Sequence, residues 1–312
     1  MHIGVVVPAY NAAAWIGDAI ASVLAQTHRD WSLVVVDDGS KDGTSAAVAS
    51  FRDARIRLVR QSNAGVSAAR NRGIAELFGA PSPQPPPARG GGVVFLDADD
   101  WLAPDALGRL NAALQAVAAS GACAFADTRA AHRPPNGDIL PCLLVRNLFA
   151  NCGQLLLRAD AVRAAGGFLP GIAYGEDWEF CIRIALQGSF ASVTGKHPVL
   201  VVRRHAEGAY RRLAQRPDAF APCMNAVFSN PALLARFGVD GLAEMRQRTD
   251  AENTWIIGRE QVRHGDRAGG LGLLRRSVRA HPSMRRAMLL AAAHLLHLLP
   301  TSCRGPLRPY RA

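Results

Sequence analysis

The first two thirds of the chain alternates short apolar runs with segments of helical periodicity. Runs such as Ile3–Val7 and Val93–Leu96 are rich in β-branched residues and end at proline or at acidic turns, as buried strands do. Between them, apolar side chains recur at the three- and four-residue spacing of an amphipathic helix. This alternation predicts βαβ units and an α/β fold with a mostly parallel sheet. We predict strands over 3–7, 32–36, 56–60, 93–96 and 199–203, and helices over 13–25, 44–51, 104–119, 160–165 and 177–187.

From about residue 211 the pattern is helical and is interrupted by prolines. We therefore predict an N-terminal domain over residues 1–210 and a helical C-terminal region over residues 211–312. Residues 81–92, PSPQPPPARGGG, are too rich in proline and glycine for regular structure, so we predict an exposed flexible loop there.

Charge is distributed unevenly along the chain. Of 312 residues, 49% are apolar and 20% are charged, which is typical of a folded protein, and the formal net charge is +11. Residues 1–202 carry 17 basic and 17 acidic side chains, whereas residues 203–312 carry 19 basic and 8 acidic ones. The basic excess lacks interleaved aromatic residues and a nucleic-acid-binding motif, so an anionic membrane surface is the expected partner and nucleic acid is not.

The remaining composition points to a cytoplasmic protein. No apolar run reaches the roughly 18 residues of a membrane-spanning helix, and the N-terminal segment lacks the regions that define a signal peptide. The six cysteines are scattered without a CxxC pair, which favours reduced thiols in the core over a disulfide framework or a zinc site.

Polar turns follow three of the predicted strands: PAYN (8–11), DDGS (37–40) and DADD (97–100). Ligands bind at the carboxyl ends of strands in open α/β sheets, so these turns predict one shared site. The spacing of Asp97 and Asp99 places both carboxylates on one face of an extended segment, where they can hold a hard divalent cation. The alternatives are that Asp99 or Asp100 caps the next helix and that DDGS is an ordinary turn.

Five segments carry a resemblance to a known family: VVVPAYN, VVVDDGSKDGT, SNAGVSAARNRG, VVFLDADDW and GEDWEFCIRIA, in this order within residues 1–205. Together they resemble the motifs of family 2 glycosyltransferases with the GT-A fold. The resemblance implies a Rossmann-like, mostly parallel sheet with a C-terminal helical extension. It also implies a nucleotide-sugar donor, a divalent cation (Mn²⁺ or Mg²⁺) and transfer with inversion at the anomeric carbon.

The resemblance assigns the donor site to residues at the strand ends. Four residues would line the base and ribose pocket: Pro8, Ala9, Tyr10 and Asp37. Asp38 would share this role or lie behind it. Arg70 would lie near the base or the diphosphate.

The resemblance also assigns the metal ligands. Asp99 would be the chief ligand, and Asp97 would contact the ribose or the metal. His205 lies where many relatives place a histidine that can bind the metal; the alternative is a surface histidine in a basic stretch.

The acidic pair Glu176 and Asp177 matches the segment from which this family draws its catalytic base. A carboxylate must accept the proton of the acceptor hydroxyl as that oxygen attacks the anomeric carbon. We assign this role to Asp177, with Glu176 as the alternative; either carboxylate can instead cap the following helix. Trp178 can stack on an acceptor sugar or belong to the core.

The sequence lacks the QxxRW motif of processive family members, which favours the addition of a single sugar. We expect a glycan or lipid-linked acceptor in bacterial cell-surface polysaccharide synthesis and a UDP-sugar as the preferred donor. The apolar segment 287–299 follows two arginines, so it is predicted either to lie on the inner face of the plasma membrane or to pack on the first domain. Two other functions stay open: a sugar-1-phosphate nucleotidyltransferase and a non-catalytic module that binds nucleotide sugars.

Overall fold

The secondary structure comes from a computed structural model that describes residues 1–79, 91–116, 119–123, 126–127, 135–193, 197–203, 216, 218–264 and 266–298. The strands are β1 (Ile3–Ala9), β2 (Trp31–Asp37), β3 (Ile56–Arg60), β4 (Gly92–Phe95), β5 (Trp101–Leu102), β6 (Gly121–Cys123), β7 (Ala126–Asp127), β8 (Leu155–Arg158), β9 (Phe190–Ser192) and β10 (Leu200–Val201). The first helices are α1 (Ile16–Leu24), α2 (Thr44–Ala49), α3 (Val66–Phe78), α4 (Ala106–Ala116), α5 (Leu140–Val145), α6 (Ala159–Ala165) and α7 (Glu176–Gln187). They are followed by α8 (Ala221–Phe228), α9 (Pro231–His264), α10 (Arg267–Ala280) and α11 (Met284–Leu298).

The described strands form a seven-stranded sheet, in the order β3-β2-β1-β4-β8-β6-β9, and a three-stranded sheet, in the order β5-β10-β7. Strands β3, β2, β1 and β4 are parallel, and the larger sheet turns antiparallel on both sides of β8. This confirms the predicted α/β fold with a mostly parallel sheet.

Both faces of the parallel strands are covered because alternate side chains point to opposite faces. On one face, Val5 and Leu33 pack with apolar residues of α1 and α4. On the other face, Val34 and Val36 pack with Ala69 and Leu77 of α3. Burial on both faces explains why these strands are apolar throughout.

The prediction was accurate where an apolar run was long and missed the short elements. The predicted strands 3–7 and 32–36 extend to Ala9 and Asp37, whereas 199–203 shrinks to Leu200–Val201. Strands β6 to β9 have two to four residues each, too few to show a period. Of the predicted loop 81–92, residues 81–90 lie outside the described residues, and Gly92 begins β4.

The chain divides into two compact units, one of Met1–Arg204 and Pro222–Val227 and the other of His205–Ala221 and Phe228–Ala312. In the second unit, α9 is interrupted at Gly238, whose φ of 69° is not helical, and it packs against α10. Trp255 of α9, Leu271 and Leu274 of α10, and Leu290 of α11 share an apolar cluster. Across the described residues, no helix combines the length and the apolar character needed to span a membrane.

The structure tests the prediction of reduced core thiols at five of the six cysteines, since Cys303 lies outside the described residues. Cys123, Cys152, Cys181 and Cys223 are free and buried, as predicted for core thiols. Cys142 is free but exposed, because it lies on the outer side of α5, so the prediction of a core position is wrong there.

The close packing of α3 on β1 gives a first prediction. A Cβ at Gly73 would overlap Val6 Cγ1, and Val6 belongs to the central strand, so neither side can move freely. We expect Gly73→Ala to destabilise the protein by about 1–3 kcal/mol, the usual cost of an overpacked core. Chemical denaturation monitored by circular dichroism measures this.

The matched control is Gly17→Ala in α1, where the new Cβ would meet nothing within 4 Å. Alanine is the better helix former by about 1 kcal/mol, so this variant should be as stable as wild type or more stable. Equal gains at both positions would contradict the packing argument.

Candidate active site

The strand ends that carry the polar turns meet at one edge of the sheet. Strands β1, β2 and β4 are parallel, with Ala9 paired to Asp37 and Val6 paired to Phe95. The backbone N–H of Asp38 donates to the Ala9 carbonyl at 2.8 Å, which keeps the two turns side by side beyond the strands. This edge is where an open α/β sheet binds ligands.

Hydrogen bonds connect the turn after β1 to the turn after β2. Asn11 has a φ of 49°, in the left-handed region that asparagine tolerates. Its Oδ1 accepts the Lys41 N–H at 2.9 Å, and its own N–H donates to Ser40 Oγ at 2.9 Å. The preceding side chain, Tyr10, is 49% exposed, an unusual position for a large aromatic group at a sheet edge. The phenol ring is therefore presented to solvent from a rigid turn.

Asp37 is almost completely buried and shapes the turn that follows it. Its carboxylate accepts hydrogen bonds from the Ser40 N–H at 2.9 Å and from the Ser45 hydroxyl. Burial alone would raise the pKa of Asp37, but these hydrogen bonds and the charge of Arg60 outweigh burial and lower it. The carboxyl group is thus ionised, and its predicted contact with the donor base stays a prediction.

Asp38 holds the loop that leads into α3. One carboxylate oxygen accepts from Gln61 Nε2 at 2.7 Å and the Ala64 N–H at 2.9 Å, and the other accepts from the Gly65 N–H at 2.9 Å. The Asp38 side chain therefore positions the N-terminus of α3, and with it Arg70. The place of Asp38 relative to the base and ribose pocket stays a prediction.

The turn after β4 contains one buried carboxylate and two that are partly exposed. Asp100 is buried and accepts from Asn151 Nδ2 at 2.6 Å and from the Arg203 N–H at 2.8 Å. Burial, with the nearby charges of Asp97 and Asp99, raises the pKa of Asp100 to about 7. Asp100 therefore fixes the turn, while Asp97 and Asp99 remain accessible.

Arg70 joins the DADD turn to the N-terminus of α7. Its Nη2 lies 2.9 Å from Asp97 Oδ1, and its Nη1 lies 2.9 Å from Glu176 Oε1. The Arg70 side chain is only 3% exposed and rests over the Phe168 ring, with Cζ 5.1 Å from the ring centre. Burial disfavours its charge, but the two carboxylates raise the pKa of Arg70 above its ordinary value. Within the described residues, Arg70 Nε has no hydrogen-bond acceptor.

Helix α7 carries the two acidic residues in its first turn. An aromatic cluster fixes the helix: the Phe180 ring stacks on Phe168 at 4.1 Å and meets Phe95 of β4 edge-on at 6.0 Å. Glu176 lies one turn before Phe180, which brings it to Arg70. The N-cap is Gly175, so neither Glu176 nor Asp177 caps the helix.

The pKa of the Asp177 carboxyl group is shifted toward neutral pH. Burial and the adjacent Glu176 raise the pKa of Asp177 to about 7, although Arg70 opposes the shift. Its Oδ1 accepts the Trp178 N–H at 2.6 Å. Close by, a hydrogen bond with Cys181, together with burial, raises the pKa of the Cys152 thiol well above its ordinary value. Asp177 therefore exchanges a proton near neutral pH beside a neutral thiol.

The accessible donors suit a hard divalent cation that arrives with a diphosphate. Among the described residues, no group of three or more His, Cys, Asp or Glu side chains is arranged to hold a metal ion. Asp97 and Asp99 nevertheless provide two carboxylates on one turn, and Mg²⁺ is commonly held by one or two carboxylates plus substrate phosphates. The predicted ligand His205 lies outside the described residues.

The structure brings together most of the sequence-predicted residues and adds others. Trp178 is a core residue: it is 2% exposed, and its indole N–H donates to the Leu143 carbonyl at 2.7 Å. Asn151 lies outside every recognised motif, so no sequence signal identified it. The sequence allows Arg203 to neutralise the diphosphate or to be solvated, and the structure shows that it donates to the DADD turn.

Comparison with known proteins shows which proteins this chain resembles. Residues 4–141 match the family model described as glycosyl transferase family 2. The succinoglycan biosynthesis protein ExoO of Rhizobium meliloti is 43% identical over 106 residues, which are 34% of this chain and 27% of the relative. The Escherichia coli enzyme WfgD, a UDP-Glc:alpha-D-GlcNAc-diphosphoundecaprenol beta-1,3-glucosyltransferase, is 38% identical over 103 residues, which are 32% of this chain and 36% of the relative. The chain covers between 14% and 38% of the length of the curated relatives it matches.

A solved structure resembles this protein over most of the chain. The mannosyltransferase PcManGT from Pyrobaculum calidifontis, in complex with GDP-Man and Mn²⁺, superposes with a TM-score of 0.60 at 21% identity, over 96% of this chain and 81% of that one. This protein has the GT-A fold with a helical C-terminal region, as predicted.

The raised pKa of Asp177 predicts how its replacement affects stability. A carboxyl group whose pKa rises on folding destabilises the native state increasingly as the pH climbs from its unfolded value toward about 7. Asp177→Asn removes that penalty and should raise the melting temperature more at pH 8 than at pH 5. Calorimetry at the two pH values measures the difference.

The matched control is Asp160→Asn. Asp160 occupies the same place in the first turn of α6 and accepts the next N–H at 2.8 Å, but it is exposed. This variant should not gain stability at either pH. A stabilisation by Asp177→Asn that does not grow with pH would contradict the assignment.

Proposed function

We propose that this protein is a member of glycosyl transferase family 2, whose model residues 4–141 match, and that it is an inverting enzyme that moves one sugar from a nucleotide-diphosphate sugar to an acceptor. The observation that carries the proposal is the buried Arg70, which joins a carboxylate of the DADD turn to the acidic pair of α7. A donor-binding turn and a proton acceptor are thereby held in one cluster.

The donor would lie across the carboxyl edge of β1, β2 and β4. Tyr10 is exposed and rigidly held, so its ring would cover the base, with Pro8 and Ala9 forming the floor. Asp37 and Asp38 fix this pocket through their hydrogen bonds. We favour a UDP-sugar, the donor class named for the E. coli relative.

The chemical step needs a group that accepts the proton of the attacking hydroxyl. Asp177 would take this proton, and the acceptor oxygen would form a bond to the anomeric carbon from the side opposite the diphosphate. The bond from that carbon to the diphosphate oxygen would break, and the electron pair would leave with the nucleoside diphosphate. Glu176 is bound to Arg70, whereas Asp177, whose pKa is raised to about 7, suits a base that works near neutral pH.

The leaving diphosphate carries negative charge that the site must accommodate. A divalent cation, Mn²⁺ or Mg²⁺, would stabilise this charge when bound. Asp97 and Asp99 would hold it, with His205 as a further ligand. Arg70 keeps Asp97 in place by direct pairing.

The acceptor is proposed to be a glycan or a lipid-linked sugar in bacterial cell-surface polysaccharide synthesis, consistent with the names of the two curated relatives. We propose that the protein acts in the cytoplasm, peripherally on the inner face of the plasma membrane. The exposed apolar residues of α11, Met284, Met288 and Leu289, lie near the exposed Arg285 in the sequence and would contact anionic lipid. The inner face of α11 packs on its own unit, with Arg286 paired to Glu252.

Donor binding gives the first test of the proposal. A UDP-sugar should raise the melting temperature in the presence of Mn²⁺ and less in its absence, because the cation and the diphosphate bind together. Thermal-shift assays with UDP-, GDP- and dTDP-sugars measure this, with Asp99→Asn as the variant expected to lose the Mn²⁺ effect. Stabilisation by nucleoside triphosphates and sugar 1-phosphates would instead indicate a nucleotidyltransferase.

The role of Asp177 gives a second test. Asp177→Asn should lower kcat by about 10²–10⁴-fold, the usual loss on removing a general base, while donor binding stays near wild type. In the wild type, kcat/KM should fall as the pH drops below about 7, since protonated Asp177 cannot accept the proton. UDP release measures both, and Asp160→Asn is the control expected to keep full activity. Wild-type turnover by Asp177→Asn would move the base elsewhere.

The exposed face of α11 gives a third test. Met284→Glu combined with Met288→Glu should weaken binding to anionic vesicles, because the two side chains are 83% and 67% exposed and would face lipid. Vesicle sedimentation measures this. Val239→Glu changes a similarly exposed residue of the same unit and should leave binding unchanged. Equal binding by all three proteins would contradict the membrane proposal.

A further inference from the structure

Arg203 makes a set of contacts that the proposed catalytic step does not use. It lies two residues beyond β10, which pairs antiparallel with β5, and β5 directly follows the DADD turn. Its backbone N–H donates to Asp100 Oδ1 at 2.8 Å, and its Nε donates to the Asp99 carbonyl at 3.0 Å. Arg203 is therefore bound to the end of the turn that presents Asp97 and Asp99.

The Arg203 guanidinium also lies over two aromatic rings. Its Cζ lies 4.7 Å from the ring centre of Trp15 and 4.8 Å from that of Trp101. Its Nη2 pairs with Asp18 of α1 at 2.5 Å. Trp15 ends the loop that begins with Tyr10, so one side chain connects the proposed base-binding loop to the DADD turn. We call this arrangement of Arg203, Trp15 and Trp101 the arginine clamp.

The arginine clamp and Arg70 hold opposite ends of the turn. Arg70 pairs with Asp97 at the start, and Arg203 binds Asp99 and Asp100 at the end. Asn151 completes the hold on Asp100 from another loop. With the backbone fixed on both sides of Asp99, the direction of its carboxylate is restricted before any ligand arrives, which reduces the entropy lost on binding.

We propose that Arg203 is a positioning residue: the arginine clamp sets the affinity of the site for a divalent cation with a nucleoside diphosphate by fixing Asp99. This rests on the proposed function, since Asp99 matters only if it binds the cation. Arg203 acts through the turn and not through the phosphates, because its Nε and Nη2 are bound to Asp99 and Asp18.

The test measures cation binding without turnover. Free Mn²⁺ is followed by electron paramagnetic resonance as protein is added in the presence of UDP. Arg203→Ala should raise the apparent dissociation constant for Mn²⁺ about 10–100-fold, the range found when partners of metal ligands are removed. UDP affinity without Mn²⁺ should stay within about twofold, because no UDP contact is removed by a change that acts through the turn.

Two variants distinguish the stacking and hydrogen bonding of the arginine clamp from the effect of its positive charge. Arg203→Lys keeps the positive charge but loses the planar group that stacks and donates from Nε, so it should bind Mn²⁺ as weakly as Arg203→Ala. Trp15→Leu removes one ring and should weaken Mn²⁺ binding by about threefold or more, in line with one cation–π contact. Full recovery by Arg203→Lys would overturn the clamp.

The matched control is Arg158→Ala. Arg158 also donates from Nε to a backbone carbonyl, that of Ala119, but it pairs with Gly92 at the opposite end of β4. It should leave Mn²⁺ affinity unchanged while thermal denaturation reports any loss of stability. Equal weakening by Arg158→Ala and Arg203→Ala, or none by Arg203→Ala, would overturn the proposal.

Kinetics give a second measure. At saturating Mn²⁺, Arg203→Ala should restore kcat to within about threefold of wild type, whereas Asp99→Asn should not, because only the latter removes a ligand. If wild-type protein fails to bind Mn²⁺ with UDP, the proposed donor site itself is wrong, and the role of Arg203 falls with it. Wild-type binding that Arg203→Ala leaves intact overturns only the inference about Arg203.

Discussion

The ion pairs of the buried Arg70 are the constraint on which the site depends. Arg70 comes from α3, Asp97 follows β4 and Glu176 begins α7, so three segments distant in sequence are tied by two contacts of 2.9 Å. Removing one partner of a buried ion pair costs about 3–5 kcal/mol because the other charge is left uncompensated. The packing of α3 through Gly73 and of α7 through Phe180 is therefore what allows carboxylates to gather here at all.

The same cluster separates the roles of its carboxylates. Arg70 provides one positive charge, while Asp97, Glu176 and Asp177 provide up to three negative ones. Arg70 pairs directly with Asp97 and Glu176, whereas burial and the neighbouring charges of Glu176 and Asp97 raise the pKa of Asp177. Its raised pKa follows from the count of charges as well as from burial. The pKa of Asp177, about 7, suits a group that exchanges a proton near neutral pH.

The sequence predicted the elements that are long and uniformly apolar. Strands such as Ile3–Ala9 and Trp31–Asp37 are buried on both faces, which gives an unbroken apolar run, and the turns after them carry the predicted acidic residues. The sequence did not predict β6 or β9, because each has only three residues and is recognised as a strand by its pairing with a neighbouring strand. The contacts of Asn151 and Arg203 with the DADD turn were not predicted for a related reason: their partner Asp100 lies 51 and 103 residues away.

Burial explains why the acidic turns contain more carboxylates than the chemistry uses. Asp37, Asp38 and Asp100 are buried, and their oxygens already accept N–H or hydroxyl groups of the chain. They form the walls of the site. A carboxylate can bind a ligand only if the ligand can reach it, and Asp97, Asp99, Glu176 and Asp177 are partly exposed. A motif shows where acidic residues lie in the sequence, but their burial in the fold decides which of them a cation or an acceptor hydroxyl can reach.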